Sequence, residues 1–231
     1  MIQISNLSKK YGETVVFSDL NYTFENACIY GLVGRNGAGK TTLLNILSNY
    51  DKNYTGVISI DRKKMNKVDY LDMPVAYAMD QPSFFNELTI YENLLLIASS
   101  RKIKKQEAFD KIERILDGLG LKKYENYSPL ELSKGTMQRL NNACAMIQEE
   151  KITIFDEPFS GLDPVQMKLL ENVMVEFHKK EKGIYIISSH DIECLQNVCD
   201  KCLLLHNGQI REINTEEVDR EKIAKILSEG E

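Results

Sequence analysis

No apolar run in this chain of 231 residues approaches the roughly 20 needed to span a bilayer as a helix, so no segment reads as membrane-spanning. A basic excess is also missing. The 29 Lys and Arg residues face 34 Asp and Glu, a net charge of −5, which argues against a nucleic-acid binder working through a broad basic face and leaves only local patches open. The opening Met-Ile-Gln-Ile-Ser-Asn-Leu-Ser-Lys lacks the basic-then-apolar order of a secretion signal. The expected place is therefore the cytosol, with any membrane attachment through a partner. There is no internal repeat and no low-complexity linker.

Cysteines are few and odd in number, five, which fits a reducing compartment. Cys199-Asp-Lys-Cys202, with Cys194 and His190 nearby, invites a metal reading, but no second Cys-x-x-Cys completes a zinc site. A structural reading is favoured: Ile192, Leu195, Val198 and Cys199 form one apolar helix face, and Cys202 opens an apolar run. Cys28 and Cys144 sit in apolar patterns and read as core.

What the chain does contain is 43% hydrophobic residues, enough for one large α/β domain or a core with an inserted subdomain. It is organised around Cys28-Ile-Tyr-Gly-Leu-Val-Gly34-Arg-Asn-Gly37-Ala-Gly39-Lys40-Thr41-Thr42 and the Leu43, Leu44, Leu47 repeat that follows. The order is buried strand, glycine-rich turn, helix. Gly34, Gly37 and Gly39, with Arg35, Asn36 and Ala38 between them, let backbone N–H groups surround an anion, and the new helix adds its positive end. Lys40 is expected to reach the β- and γ-phosphates of a nucleotide and the Thr41 hydroxyl to ligate magnesium, with Thr42 also among the nucleotide-binding residues. The competing reading, an Asn36-Gly37 hairpin, needs a second alternating strand where a helix pattern stands.

Before this stretch, Ile2 and Ile4, then Leu20, Tyr22 and Phe24, alternate as strands around a turn at Lys9-Lys10-Tyr11-Gly12. With Val57 to Ile60 they predict a small antiparallel sheet. Val75 to Met79 reads as a buried strand ending in Asp80-Gln81-Pro82. Thr89-Ile-Tyr-Glu92 is a capping box, and Ala108, Ile112, Ile115, Leu116 and Leu119 mark a second amphipathic helix closed near Gly118 to Gly120. Residues 83–148 thus read as a helical insertion between core segments 1–82 and 149–231 of a single domain. Arg101-Lys-Ile-Lys-Lys105 reads as a solvated helix end more readily than as a lipid contact. Asp163-Pro164 opens a helix carrying Met167, Leu170, Met174 and Phe177. His206-Asn-Gly208 separates two strands, and Thr215 to Glu231 reads as a charged helix.

A triphosphate site also needs a magnesium partner, a base for water and a γ-phosphate sensor. Asp156, at the end of the apolar strand Ile152 to Phe155, fits the first, and the adjacent Glu157 is placed to accept a proton. His190, after the strand Ile184 to Ile187, fits the third. His178 and His206 lie on exposed-looking segments and receive no role.

Together these residues resemble the ATP-binding cassette (ABC) family, over nearly the whole chain. Leu132-Ser133-Lys134-Gly135-Thr136 resembles its signature loop and Ser160-Gly161-Leu162-Asp163 its D-loop. Gln81 stands at the Q-loop glutamine, His190 at the switch histidine and Tyr11 at the aromatic that stacks on adenine. The resemblance implies an α/β fold: a phosphate-loop nucleotide-binding core with a small antiparallel β-subdomain and an inserted helical subdomain. It also implies an ATPase using ATP and Mg2+, with Gln81 joining Thr41 and Asp156 as magnesium ligands. Two cassettes, identical or related, would close head to tail so that the signature loop of one completes the site of the other.

The sequence departs from the family pattern at Lys134 and Thr136, where a glycine and a glutamine are usual. Gly135, Glu157 and His190 are retained, as a working ATPase requires. The Leu-Ser-Lys-Gly form is similar to cassettes of bacterial exporters, which implies a separate transmembrane permease as partner, attachment to the inner face of the membrane through it, and no nucleic acid. Phe84 and Phe85 are candidate permease contacts, with core packing as the alternative. A non-transport cassette acting on DNA or ribosomes is the competing class. The 116 residues between Lys40 and Asp156, from 156 − 40, leave no room for the long coiled coil of chromosome-handling relatives.

Overall fold

The computed structural model describes residues 1–68, 72–190 and 192–213; the expected helix over Thr215 to Glu231, and Asp191, lie outside the described residues. Two sheets carry the chain. Strands β1 (Ile2–Tyr11), β2 (Thr14–Phe24), β4 (Thr55–Ile60) and β5 (Lys63–Lys64) form an antiparallel sheet in the order β2-β1-β4-β5. The second sheet has β3 (Cys28–Val33), β6 (Val75–Ala78), β7 (Ile152–Phe155), β8 (Ile184–Ser189), β9 (Lys201–His206) and β10 (Gln209–Ile213), in the order β10-β9-β3-β8-β7-β6. All of its pairings are parallel except the β9–β10 hairpin, whose turn residues Asn207 and Gly208 both have positive φ, as a two-residue turn of this hand requires.

Parallel strands buried on both faces need near-continuous apolar runs, and β3 and the Ile184–Ile187 part of β8 supply them. Ile29 and Val33 of β3, with Tyr185 and Ile187 of β8, face one apolar cluster, while Tyr30, Leu32, Ile184 and Ile186 face the other. The first cluster continues into α2 (Ile90–Ser100), α3 (Lys105–Gly118), α4 (Lys134–Met146) and α5 (Pro164–Glu181); the second into α1 (Lys40–Leu47) and the antiparallel sheet. Each fully buried Leu or Ile contributes about 1.5–3 kcal/mol.

Capping follows the sequence signals. Thr89 and Glu92 complete their capping box, and Asp163 accepts from the Gln166 amide at 2.9 Å ahead of Pro164. The connections after β3, β6, β7 and β8 all leave from carboxyl ends of parallel strands, the edge where open α/β sheets bind ligands. They carry Gly34, Asp80, Asp156 and His190 respectively.

Four local expectations change. The turn expected at residues 9–12 is narrower, because β1 runs through Tyr11 and pairs it with Thr14. The helix expected through Cys199 is shorter: α6 spans Ile192–Gln196, and Val198 and Cys199 continue only as amides bonded to the Leu195 carbonyl. His178 is buried, not exposed; its Nε2 lies 3.1 Å from the Gly183 carbonyl and its ring packs edge-on against Tyr185, which closes the last turn of α5. Arg101 is not a solvated helix end. It pairs with Glu150 at 3.1 Å and donates to Gln148 at 2.9 Å, tying α2 to the residues before β7.

Candidate nucleotide-binding site

Gly39 caps α1 at φ +99°, and a Cβ there would stand 2.7 Å from a Val16 methyl. Both conformation and space therefore demand glycine. At Gly34 the constraint is space alone, since a Cβ would meet the Leu205 carbonyl at 2.8 Å. The loop consequently bends tightly between β3 and α1 and leaves the first N–H groups of the helix unpartnered within it, the arrangement that attracts an anion. Lys40 is buried, its Nζ donating to the Gly34 carbonyl at 2.7 Å, while Thr41 is exposed. A cleft of about 460 Å³ opens here, lined by Tyr11, Val16, the phosphate-loop residues from Arg35 to Thr42 other than Ala38, Asp80, Asp156 and Glu157.

Asp156 is 1% exposed. Its Oδ1 accepts from Ser188 Oγ at 2.5 Å, and its Oδ2 has no hydrogen-bond partner among the described residues. A buried carboxylate oxygen left without a donor is costly unless a cation completes it. Hard oxygen ligands of this kind suit magnesium. Beside it the Tyr77 phenol is pushed well above its ordinary range, by burial first and by the Asp156 charge second, so it remains a neutral donor.

Glu157 stands at φ +49°, a strained backbone for a residue with a side chain. Its N–H donates to Ser188 Oγ at 2.9 Å, so one hydroxyl serves two successive residues. The carboxylate is forked: Oε1 lies 3.7 Å from Lys40 Nζ and Oε2 lies 2.9 Å from His190 Nδ1. Lys40, the adjacent pair Asp156 and Glu157, and His190, from three parts of the chain, thus meet at one end of the parallel sheet.

Other expected residues stand elsewhere. Tyr11 lines the cleft, half exposed. Gln81 is exposed and does not line it; the acidic neighbour Asp80 does. Ser133, Lys134, Gly135 and Thr136 open α4 away from this cleft, with Ser133 as cap, its Oγ accepting from the Thr136 amide at 3.3 Å. They pack on the Ser160–Asp163 loop of the same chain: a Cβ on Gly135 would sit 3.0 Å from the Gly161 carbonyl, and the Lys134 stem lies along Gly161.

Sequence reasoning missed the buried amide row of α4. Asn141 donates to the Met79 carbonyl at 2.7 Å, Gln138 to Glu157 at 3.4 Å and Asn142 to Pro158 at 3.2 Å. The available signal was the polar Gln138, Asn141 and Asn142 spaced along a helix that elsewhere reads as core. Ser188 was also overlooked, though a serine ending an apolar strand is such a signal. Among the described residues no group of three or more His, Cys, Asp or Glu side chains is placed to hold a metal ion.

A phosphate loop, a buried strand-end aspartate and a following glutamate on a mixed two-sheet scaffold define a P-loop nucleotide hydrolase of cassette type. The sequence model of the ABC transporter family matches residues 17–160, and the chain belongs to that family as an ATP-binding, ATP-hydrolysing cassette. It is similar to the bacitracin transport ATP-binding protein BcrA of Enterococcus faecalis, 30% identical over 222 residues, covering 95% of this chain and 71% of that protein. It is 29% identical over 211 residues to the tungstate uptake system ATP-binding protein TupC of Peptoclostridium acidaminophilum, covering 91% of this chain and 97% of the other. A solved structure described as the ATP-binding subunit of an ABC transporter superposes with a TM-score of 0.87 at 26% identity, covering 99% of this chain and 98% of that one.

Proposed function

We propose that this chain is the ATPase subunit that drives a separate membrane permease, closing with a second cassette, identical or related, around two ATP molecules. The single observation that carries the reading is the forked Glu157 carboxylate, held between Lys40 and His190 beside Asp156. Lys40 and the loop from Gly34 to Thr42 bind the β- and γ-phosphates, and Tyr11 stacks on the adenine. Asp156 and Thr41 would hold magnesium, with Gln81 joining them by moving in from outside the cleft, and the ion would supply charge neutralisation at the phosphates. Glu157 takes the proton of the attacking water, and His190 orients that carboxylate and senses the γ-phosphate. Burial of Asp156 and Lys40 strengthens their charge interactions, while His190 stays exposed to water.

Ser133, Lys134, Gly135 and Thr136 serve the partner cassette's nucleotide, with Ser160, Gly161, Leu162 and Asp163 along the shared boundary. Support comes from Ser133 and Lys134, exposed at the N-terminal end of α4, a 13-residue helix whose positive pole favours phosphate. Segment 83–148, between 1–82 and 149–231, is the part that transmits closure. Phe85, 58% exposed, is the permease contact, whereas Phe84 packs into the core. Among the described residues no helix is long and apolar enough to cross a membrane, which suits a subunit held at the inner face by its permease. The Leu-Ser-Lys-Gly loop and the likeness to a bacitracin transport protein, 30% identical, support an exporter; the likeness to a tungstate uptake protein, 29% identical, makes import the alternative.

The test is affinity purification of Glu157→Gln protein with ATP and magnesium from detergent-solubilised source cells. A stoichiometric multi-span membrane protein is expected. Recovery of ribosomes or DNA-bound proteins without a permease overturns the transporter reading.

A further inference from the structure

Lys9 is a buried ammonium in the antiparallel sheet, its side chain 2% exposed. Burial of such a charge is tolerated only when its donors are satisfied. All three of its N–H directions have an acceptor: Asp51 Oδ2 at 2.7 Å, the Asn53 carbonyl at 2.7 Å, and the Tyr11 ring, whose centroid lies 4.5 Å away. The Tyr11 hydroxyl donates to the same Asp51 oxygen at 3.1 Å. Lys9 and Tyr11 are two residues apart on β1 and so share a face, and pairing irregularities around Lys9 re-aim the strand end.

Asp51 is itself fixed. Its Oδ1 accepts from the Asn53 amide at 2.9 Å, and its own amide donates to the Asn45 carbonyl, inside α1, at 3.0 Å. Burial works to raise the Asp51 carboxyl, but the hydrogen bonds from Lys9, Asn53 and Tyr11 outweigh it and hold the group below its usual range. A short chain of contacts therefore runs from the helix that begins at Lys40, through Asn45 and Asp51, to the Tyr11 ring.

We propose that Lys9 and Asp51 are positioning residues for the nucleotide base, locking the Tyr11 ring at a fixed place relative to the phosphate loop. The proposal rests on the reading of Tyr11 as the adenine-stacking residue. Lys9 covers one face of the ring and leaves the other for the base, and the hydroxyl bond stops rotation of the ring out of the cleft. Prior ordering of the ring removes a cost otherwise met on binding. The affinity gain belongs to the base and not to the phosphates.

The distinguishing probe is inorganic tripolyphosphate, which has no base, compared with ATP, both with magnesium and both by titration calorimetry. Lys9→Met should weaken ATP by roughly three- to tenfold, the size of a lost cation–π contact and its ordering, and leave tripolyphosphate unchanged. Equal ATP affinity in Lys9→Met and the unaltered protein overturns the proposal, and so does an equal loss for both ligands, which marks a merely structural role. If Lys9→Met does not fold, Tyr11→Phe carries the test, since it removes one hydroxyl at a half-exposed ring and keeps the stacking surface. ATP-selective weakening supports the lock; unchanged ATP affinity refutes it. Tyr11→Ala separates the two layers: no ATP-selective loss there overturns the stacking reading itself, whereas a loss there with none in Lys9→Met or Tyr11→Phe overturns the lock alone.

Discussion

Glu157 Oε2 and His190 Nδ1 stand 2.9 Å apart although 33 residues separate them in the chain. The contact exists because β7 and β8 are parallel neighbours that end at the same edge of the sheet. Glu157 follows one strand and His190 the other. The fold alone thus brings a carboxylate and an imidazole to one place and leaves the second carboxylate oxygen for Lys40.

If Glu157 is the base, Glu157→Gln should bind ATP and lose turnover by about 10²–10⁴-fold, the usual contribution of general base catalysis. His190→Ala should lose less, since it removes the group that orients the carboxylate and not the carboxylate. Steady-state hydrolysis beside ATP titration checks both. Turnover in Glu157→Gln within about twofold of the unaltered protein would refute the assignment.

Ser188→Ala removes the one hydroxyl that serves both the Asp156 carboxylate and the Glu157 amide. Leaving such buried groups unsatisfied costs about 1–3 kcal/mol. Denaturant unfolding should show that loss, and hydrolysis should fall while tripolyphosphate binding persists, because the phosphate loop is untouched.

Lys111 sits 2% exposed between Glu149 at 2.6 Å and Glu181 at 3.1 Å, and Tyr185 donates to Glu181 as well. The network joins α3 to the end of α5. Lys111→Met leaves two partly buried carboxylates unpaired and should cost about 3–5 kcal/mol. Glu181→Gln together with Lys111→Met should recover part of it; a melting temperature unmoved by the single change would show the network to be idle.

Asp51 titrates below its ordinary 3.8 in the folded chain. The unfolded state therefore binds the proton more readily, so the stabilisation is complete above the unfolded value and disappears as pH falls through the folded one. Asp51→Asn should flatten the acid limb of the stability curve below about pH 4 and leave its slope near neutrality unchanged.

The parallel strands were legible because double-sided burial writes continuous apolar runs, as in Cys28–Val33 and Ile184–Ile187. The phosphate loop and its helix were legible because glycine spacing and leucine period point to the same boundary. Polar groups with buried partners were not. A helical pattern places Asn141 and Gln138 on a wet face, yet here the facing surface is a row of loop carbonyls. Likewise nothing local says that His178 has a carbonyl to meet or that Arg101 has Glu150 across the chain. Periodicity reports which side of an element is covered and is silent about what covers it.

Helix α4 is capped at Ser133 and fastened along one flank to the backbone at Met79, Glu157 and Pro158. The three anchoring side chains, Gln138, Asn141 and Asn142, lie on successive turns in the middle of the helix. A shift of that flank of α4 is therefore met first by the backbone at Met79, Glu157 and Pro158, so the helix and the peptide that carries Glu157 share one set of polar contacts.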